Sequence, residues 1–392
     1  MFANSIVRSF CTTARTSLAL VLSVMMAAPD VALAQEPVTT CTTNKWLQAG
    51  TLAGGTALET FSAVVNGQFM YTIGGYNGTT GVNSVGYVQL NSAGNLQSNF
   101  TATSSLIRKV SRDLCGKSFT TNGTTFLYTV GGVDYTNTSL AHGQTTGDLE
   151  YAPIRANGSV GTWTRVQNAI PATQLHASIV LNNYLYVIGG SNTTTDQSPV
   201  PTSSVYHAKI NNDGTVGPFV SDLTLPVPTY KTCPVAFDNT IYLSGGEVKI
   251  SGQCSKTNPT ATTNVWYAKQ GTNGFLTPNS QTGTWNSATS MIQTLASQAV
   301  VYNNGITLIG GDQSGCGFDT ADIQYGAFTD LGDNPPTQIQ WTFPYPSGVI
   351  SLPAIIERNA GATYNNVIYS LGGEQTKSGS SSDTAAVYCL VL

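Results

Sequence analysis

MYTIGG (Met70–Gly75), LYTVGG (Leu127–Gly132), LYVIGG (Leu185–Gly190), IYLSGG (Ile241–Gly246), ITLIGG (Ile306–Gly311) and IYSLGG (Ile368–Gly373) are six versions of one strand ending in a glycine pair. Successive copies are 57, 58, 56, 65 and 62 residues apart. A fixed period of this size marks a repeated supersecondary unit, and the aromatic-aliphatic composition makes that unit a β one. The glycine pair supplies backbone freedom where units approach one another closely.

The units read strand by strand from these anchors. A run such as HASIVLNN (His176–Asn183) or CPVAFDN (Cys233–Asn239) forms strand a and turns into the glycine-ended strand b. After a variable loop comes strand c, for example SVYHAKI (Ser204–Ile210) or NVWYAKQ (Asn264–Gln270). Strand c turns at Asn157-Gly158 or Asp213-Gly214, which are hairpin signals. Strand d opens on an aromatic: Phe100, Trp163, Phe219, Trp285 or Trp341. The sixth unit stops after strand c (Ala385–Leu392), and the missing aromatic strand stands at the other end of the chain in CTTNKWLQAG, Cys41–Gly50. The expected fold is all-β: a six-bladed β-propeller whose N-terminal strand completes the last blade and removes the exposed sheet edges.

The glycine-pair strand ends, the aromatic of strand d and the period resemble the kelch repeat. Strands reading Tyr-x-Ala-x-Ile, then Asn/Asp-Gly, then Val-Gly-x-Trp/Phe resemble the kelch-like repeats of bacterial secreted proteins, over nearly all of residues 41–392. Ile306–Ile309 departs from the pattern by lacking the strand-b tyrosine. The resemblance implies a propeller and no single activity, since one fold hosts many functions.

Residues 1–34 read as a signal peptide, and residues 35–392 as a single domain. Arg8 and Arg15 precede an apolar run, Ser17–Ala28, that is too short to span a bilayer, and Ala32-Leu33-Ala34 offers a cleavage site. No second run of membrane length follows, so a secreted or periplasmic protein is expected. Only 9% of residues are charged, against about a quarter in ordinary soluble proteins, and the net charge is −4. That excludes the basic footprint nucleic acid requires. Six cysteines remain once Cys11 leaves with the signal, an even set that suits disulfides in an oxidising compartment. Cys41 and Cys389 fall in the two strands that close the ring and are expected to pair. The chain-entropy account assigns that loop roughly 5–6 kcal/mol. The other four leave two solutions open: Cys115–Cys233 with Cys254–Cys316, or Cys233–Cys254 with Cys115–Cys316. No C-x-x-C pair occurs and there are three histidines, so neither metal nor cofactor is expected.

In such a blade the entries to strands a and the loops after strands b emerge on one face, over the channel. The residues following the glycine pairs are Tyr76, Val133, Ser191, Glu247, Asp312 and Glu374, which places three acids in an arc. Fourteen residues before the first glycine of a pair stand Lys231 and Arg358; His176 lies one residue further in, and Arg112 stands just before blade two. Tyr76, His176, Lys231, Glu247, Asp312, Arg358 and Glu374 are therefore the candidate ligand contacts, on a mixed acidic and basic face suited to a sugar. The same residues have a structural reading, in which acids and bases simply pair across the face. The expected function is a non-catalytic binding module for a glycan or an extracellular protein. The alternative is an exported sugar mutarotase or epimerase, similar in architecture to the bacterial sialic acid mutarotases, with Lys231, Glu247, Arg358 and Glu374 supplying acid, base and cation. The copper-radical sugar oxidases share the kelch architecture, but their histidine pair has no counterpart here.

Overall fold

The structure is a computed structural model that describes residues 39–248, 260–293, 296–313, 319–343, 351–377 and 380–391. Within them lie six four-stranded antiparallel sheets, each a meander in chain order except the last. The first comprises Ser62–Asn66, Phe69–Ile73, Val85–Gln89 and Thr101–Ala102, and the second Lys117–Thr121, Thr124–Val130, Leu149–Pro153 and Thr164–Val166. The third runs Ala177–Leu181, Tyr184–Ile188, Val205–Lys209 and Val220–Ser221, the fourth Pro234–Phe237, Thr240–Ser244, Val265–Lys269 and Asn286–Ser287. Ala296–Tyr302, Gly305–Asp312, Asp319–Phe328 and Ile339–Thr342 form the fifth. In the sixth, Ala360–Tyr364, Val367–Leu371 and Ala386–Val391 take as fourth strand Leu47–Thr51, from the other end of the chain. This is an all-β, propeller-like architecture. Each sheet's first strand packs on those of the sheets before and after it, and that of the first sheet packs on that of the sixth.

The join between the chain's two ends has both hydrogen bonds and a covalent link. Leu47 pairs with Cys389 and Thr51 with Ala386, and Cys41 is bonded to Cys389. A second disulfide, Cys115–Cys233, selects between the two pairings the sequence left open. Cys254 and Cys316 lie outside the described residues. Two disulfides fit an extracytoplasmic location. Among the described residues no helix is long and apolar enough to cross a membrane.

Two recurrent devices hold neighbouring sheets together. The first glycines of the pairs sit where sheets nearly touch: a Cβ on Gly74, at φ +63, would lie 2.5 Å from the carbonyl of Val110, and one on Gly372, at φ +55, would lie 2.5 Å from the carbonyl of Leu58. The strand-b tyrosine is the second device. Its ring is fully buried, and its hydroxyl donates to a backbone carbonyl in the c–d connection of the following sheet. Tyr71 reaches Gly158 (2.9 Å), Tyr128 reaches Gly214 (3.0 Å), Tyr186 reaches Gly274, Tyr242 reaches Pro336 (2.7 Å), and Tyr369 of the sixth sheet reaches Gly94 of the first. The fifth sheet has Thr307 at this position. Its neighbour, the sixth, has no c–d hairpin to receive a hydroxyl, because those two strands come from opposite ends of the chain. The missing tyrosine in ITLIGG thus follows from how the sixth sheet is assembled. Aromatics at the strand-d starts pack against neighbouring sheets, with Trp46, Phe100, Trp163, Trp285 and Trp341 buried and Phe219 half-buried.

This device predicts a contrast. Tyr128→Phe leaves the carbonyl of Gly214 unpaired and is expected to cost about 1–2 kcal/mol. Thr307→Val, which removes a buried hydroxyl that has no hydrogen-bond partner among the described residues, is expected to be neutral or stabilising. Chemical denaturation of the two variants measures both.

Candidate functional site

In five of the six sheets the entry to strand a is a two-residue switch. The first residue pairs antiparallel with the residue after the glycine pair: Glu59 with Tyr76, Gln174 with Ser191, Tyr230 with Glu247, and Glu357 with Glu374. The next residue swings into the left-handed region, as Thr60 (φ 50), Leu175 (φ 55), Lys231 (φ 56) and Arg358 (φ 55) do. Arg112 (φ 63) is their counterpart in the second sheet, where a longer a–b hairpin shifts the count. This turn aims each amide at the neighbouring sheet. Thr60 N donates to Arg358 O, Arg112 N to Thr60 O, Leu175 N to Arg112 O, and Lys231 N to Leu175 O, at 2.8–3.0 Å. Four hydrogen bonds thus link the inner ends of five sheets, and the side chains of all five residues line one cavity of about 200 Å³.

The residue types at these positions are informative. At the a–b hairpin tips, left-handed positions are filled by Asn122, Asn182, Asn239, Asn303 and Asn365, the residue that tolerates them best after glycine. Around the cavity the same strained conformation is adopted by Thr, Arg, Leu, Lys and Arg, at roughly 1–2 kcal/mol each.

The cavity has an apolar floor and charged walls. Leu114 and Leu175 form the floor over the buried Cys115–Cys233 bond. Lys231 donates to Glu247 Oε1 at 2.6 Å, and Glu247 is almost fully buried. Arg358 contacts three carboxyls, Glu374 at 2.6 Å, Glu59 at 3.0 Å and Glu357 at 3.2 Å. Arg112 donates to Gln174 Oε1 (3.0 Å) and to the backbone oxygen of Asp196 (2.6 Å). Gln174 in turn is locked by Thr145, Thr193 and Thr195, and Asp196 accepts from the Tyr135 hydroxyl. The cations nevertheless stay reachable, with 24% of the Arg112 side chain, 28% of Lys231 and 40% of Arg358 exposed.

Beside Arg358, oxygens of Asp312, Asp319 and Glu357 lie within 4.8 Å of one another. Burial first, then the negative charge of Asp319 and Glu374, push the Glu357 carboxyl up to about 8, although Arg358 pulls the other way. Asp319, hydrogen-bonded to Glu357, is also raised, chiefly by burial and by Asp312. Asp383 is pushed up to about 6 by burial and by Glu59 and Glu374. Glu357 therefore holds its proton near neutrality, in contact with Asp319. The three carboxyls are also hard oxygen donors of the kind that hold a divalent cation, a grouping absent from the sequence expectation of no metal.

Of the seven candidates, Lys231, Asp312 and Arg358 line the cavity, and Glu247 and Glu374 act on it through Lys231 and Arg358. Tyr76 does not line it; its ring lies against Tyr135. His176 is fully enclosed, with Nε2 3.4 Å from Asp113, which makes it part of the frame. There Asp113 accepts from Lys117, Thr129 and the amide of Val130. Burial opposes ionisation of Asp113, but the Lys117 ammonium and His176 outweigh it and hold the carboxyl well below its usual range. The sequence reading missed Glu59, Gln174 and Glu357. They stand 15 residues before the first glycine of their pairs, so extending the same count by one position finds them.

No family model matches the chain, and no curated protein matches it. A solved structure titled "Structure of YjhT" superposes with a TM-score of 0.59 at 14% identity, covering 86% of this chain and 97% of that one. The likeness is one of fold. It supports the propeller-like architecture and carries nothing about the cavity's chemistry.

The raised carboxyls set a pH dependence. Glu357 binds its proton more tightly in the folded state, up to about pH 8, than the unfolded chain does at about 4.5. The folded protein therefore carries the extra proton across that window, and stability falls as pH rises through it. The melting temperature is expected to drop between about pH 5 and pH 8.5, and Glu357→Gln is expected to flatten the drop in a thermal scan.

Proposed function

We propose that the protein is an exported, six-bladed, kelch-like β-propeller that binds a glycan in the cavity where its sheets meet. In this reading residues 1–34 are the signal peptide and residues 35–392 one domain. The six sheets are the blades of a ring closed by Leu47–Thr51, and the ligand belongs to an extracellular or cell-surface partner. The observation that carries it is the convergence of Arg112, Lys231 and Arg358 on one cavity, strained in backbone, held by buried acceptors and still open to a ligand. Ion pairs meant only to brace the frame gain nothing from partial exposure, since exposed pairs contribute little stability. Fixed donors and acceptors on an apolar floor are what a hydroxyl-rich ring requires.

A glycan array tests this with the protein and its Lys231→Met and Arg358→Gln variants, melting checked for each. Binding to defined glycans that falls at least about tenfold in both folded variants supports the reading. Binding that both retain moves the site to the outer loops or edges.

A second reading, acid–base exchange of sugar anomers, is favoured by Glu357. Its carboxyl, neutral to about pH 8 and hydrogen-bonded to Asp319, pairs an acid with a base. Saturable acceleration of anomer exchange, reduced about 100-fold in Glu357→Gln, is the expected result. Exchange at the uncatalysed rate at every protein concentration dismisses it.

A further inference from the structure

The charges around the cavity do not balance. Its walls carry Arg112, Lys231 and Arg358 against Glu59, Asp196, Asp312 and Glu357. Directly behind them stand Glu247 on Lys231, Glu374 on Arg358, and Asp319 beside Asp312 and Glu357. Among the described residues, seven carboxyls thus meet three cations.

The cations are also committed. Arg358 is shared by three carboxyls, Lys231 is held by Glu247, and two acceptors occupy Arg112. A ligand carboxylate would have to displace one of these partners and then sit among charges of its own sign. Like-charge contact of that kind is a strong element of discrimination at a binding surface. An ammonium meets the opposite situation. Asp312 and Glu357 offer carboxyl oxygens to the cavity, with Asp319 close behind them, while Thr60, Gln298 and Asn359 supply neutral polar groups that match hydroxyls. The volume, about 200 Å³, lies below the roughly 300–1,000 Å³ typical of pockets for drug-sized ligands and restricts the occupant to a single ring.

We infer that the cavity, taken as the binding site proposed above, selects a hydroxyl-rich ring bearing an amino group and rejects sugar acids. The inference rests on that binding reading and adds the charge of the ligand. It runs against the acidic ligand that the sequence's lysine and arginine invite, because their countercharges are already in place.

Calorimetric titration at about pH 6 with glucosamine, glucose and glucuronate separates the possibilities, since the three share one ring and differ in charge at that pH. Glucosamine is expected to bind at least about tenfold more tightly than glucuronate, with glucose between them. Asp312→Asn, verified by melting, is expected to narrow the ratio between glucosamine and glucuronate. Glucuronate binding as tightly as glucosamine overturns the charge assignment and leaves the binding reading standing. No heat and no competition from any of the three overturns both.

Discussion

The backbone relay at the sheets' inner ends is the constraint to which the rest of the molecule answers. For Thr60, Arg112, Leu175 and Lys231 to donate to the neighbouring sheet's carbonyl, each must enter the left-handed region. That geometry is unfavourable for every residue type found there, and only a surrounding frame that over-determines the conformation keeps it. The benefit is directional. One turn serves both to join adjacent sheets and to point the left-handed residue's own side chain at a common space.

The frame that imposes this is built from interactions between sheets. The tyrosine hydroxyls, the glycine pairs and the strand-d aromatics each span two neighbouring sheets, so no sheet is complete without the next. The exception at Thr307 shows the logic, because the staple is absent only where the c–d hairpin it would grip does not exist. Where chain connectivity fails, the Cys41–Cys389 bond and the pairing of Leu47–Thr51 with Ala386–Val391 take over.

Pairing and presentation of charge are not competing descriptions of the cavity. Lys231 and Arg358 are held by Glu247, Glu374 and Glu59, and being held is what fixes their positions for a ligand. Burial, with the charges of Asp319 and Glu374, raises Glu357 toward about 8, and burial, with Glu59 and Glu374, raises Asp383 toward about 6. The cavity's chemistry follows from crowding seven acids around three bases.

Local patterns determined the sheets. The glycine pairs, the alternating strands, the Asn-Gly and Asp-Gly turns and the split sixth unit were legible because each is a short-range signal with one steric meaning. The Cys41–Cys389 pairing followed from that architecture, and the count of 14 residues found Lys231 and Arg358 because the a–b hairpin has nearly constant length. Only the tertiary structure decided which charges meet. His176 reads as an exposed histidine at a strand entry, yet the longer second hairpin brings Asp113 and Lys117 over it and encloses it. Glu357 reads as one acid among twenty, and its proton affinity arises from burial beside Asp319 and Glu374, residues brought near by sheet packing. Strand period is a property of neighbours along the chain; an electrostatic field is a property of neighbours in space, and the spacing of residues does not encode it.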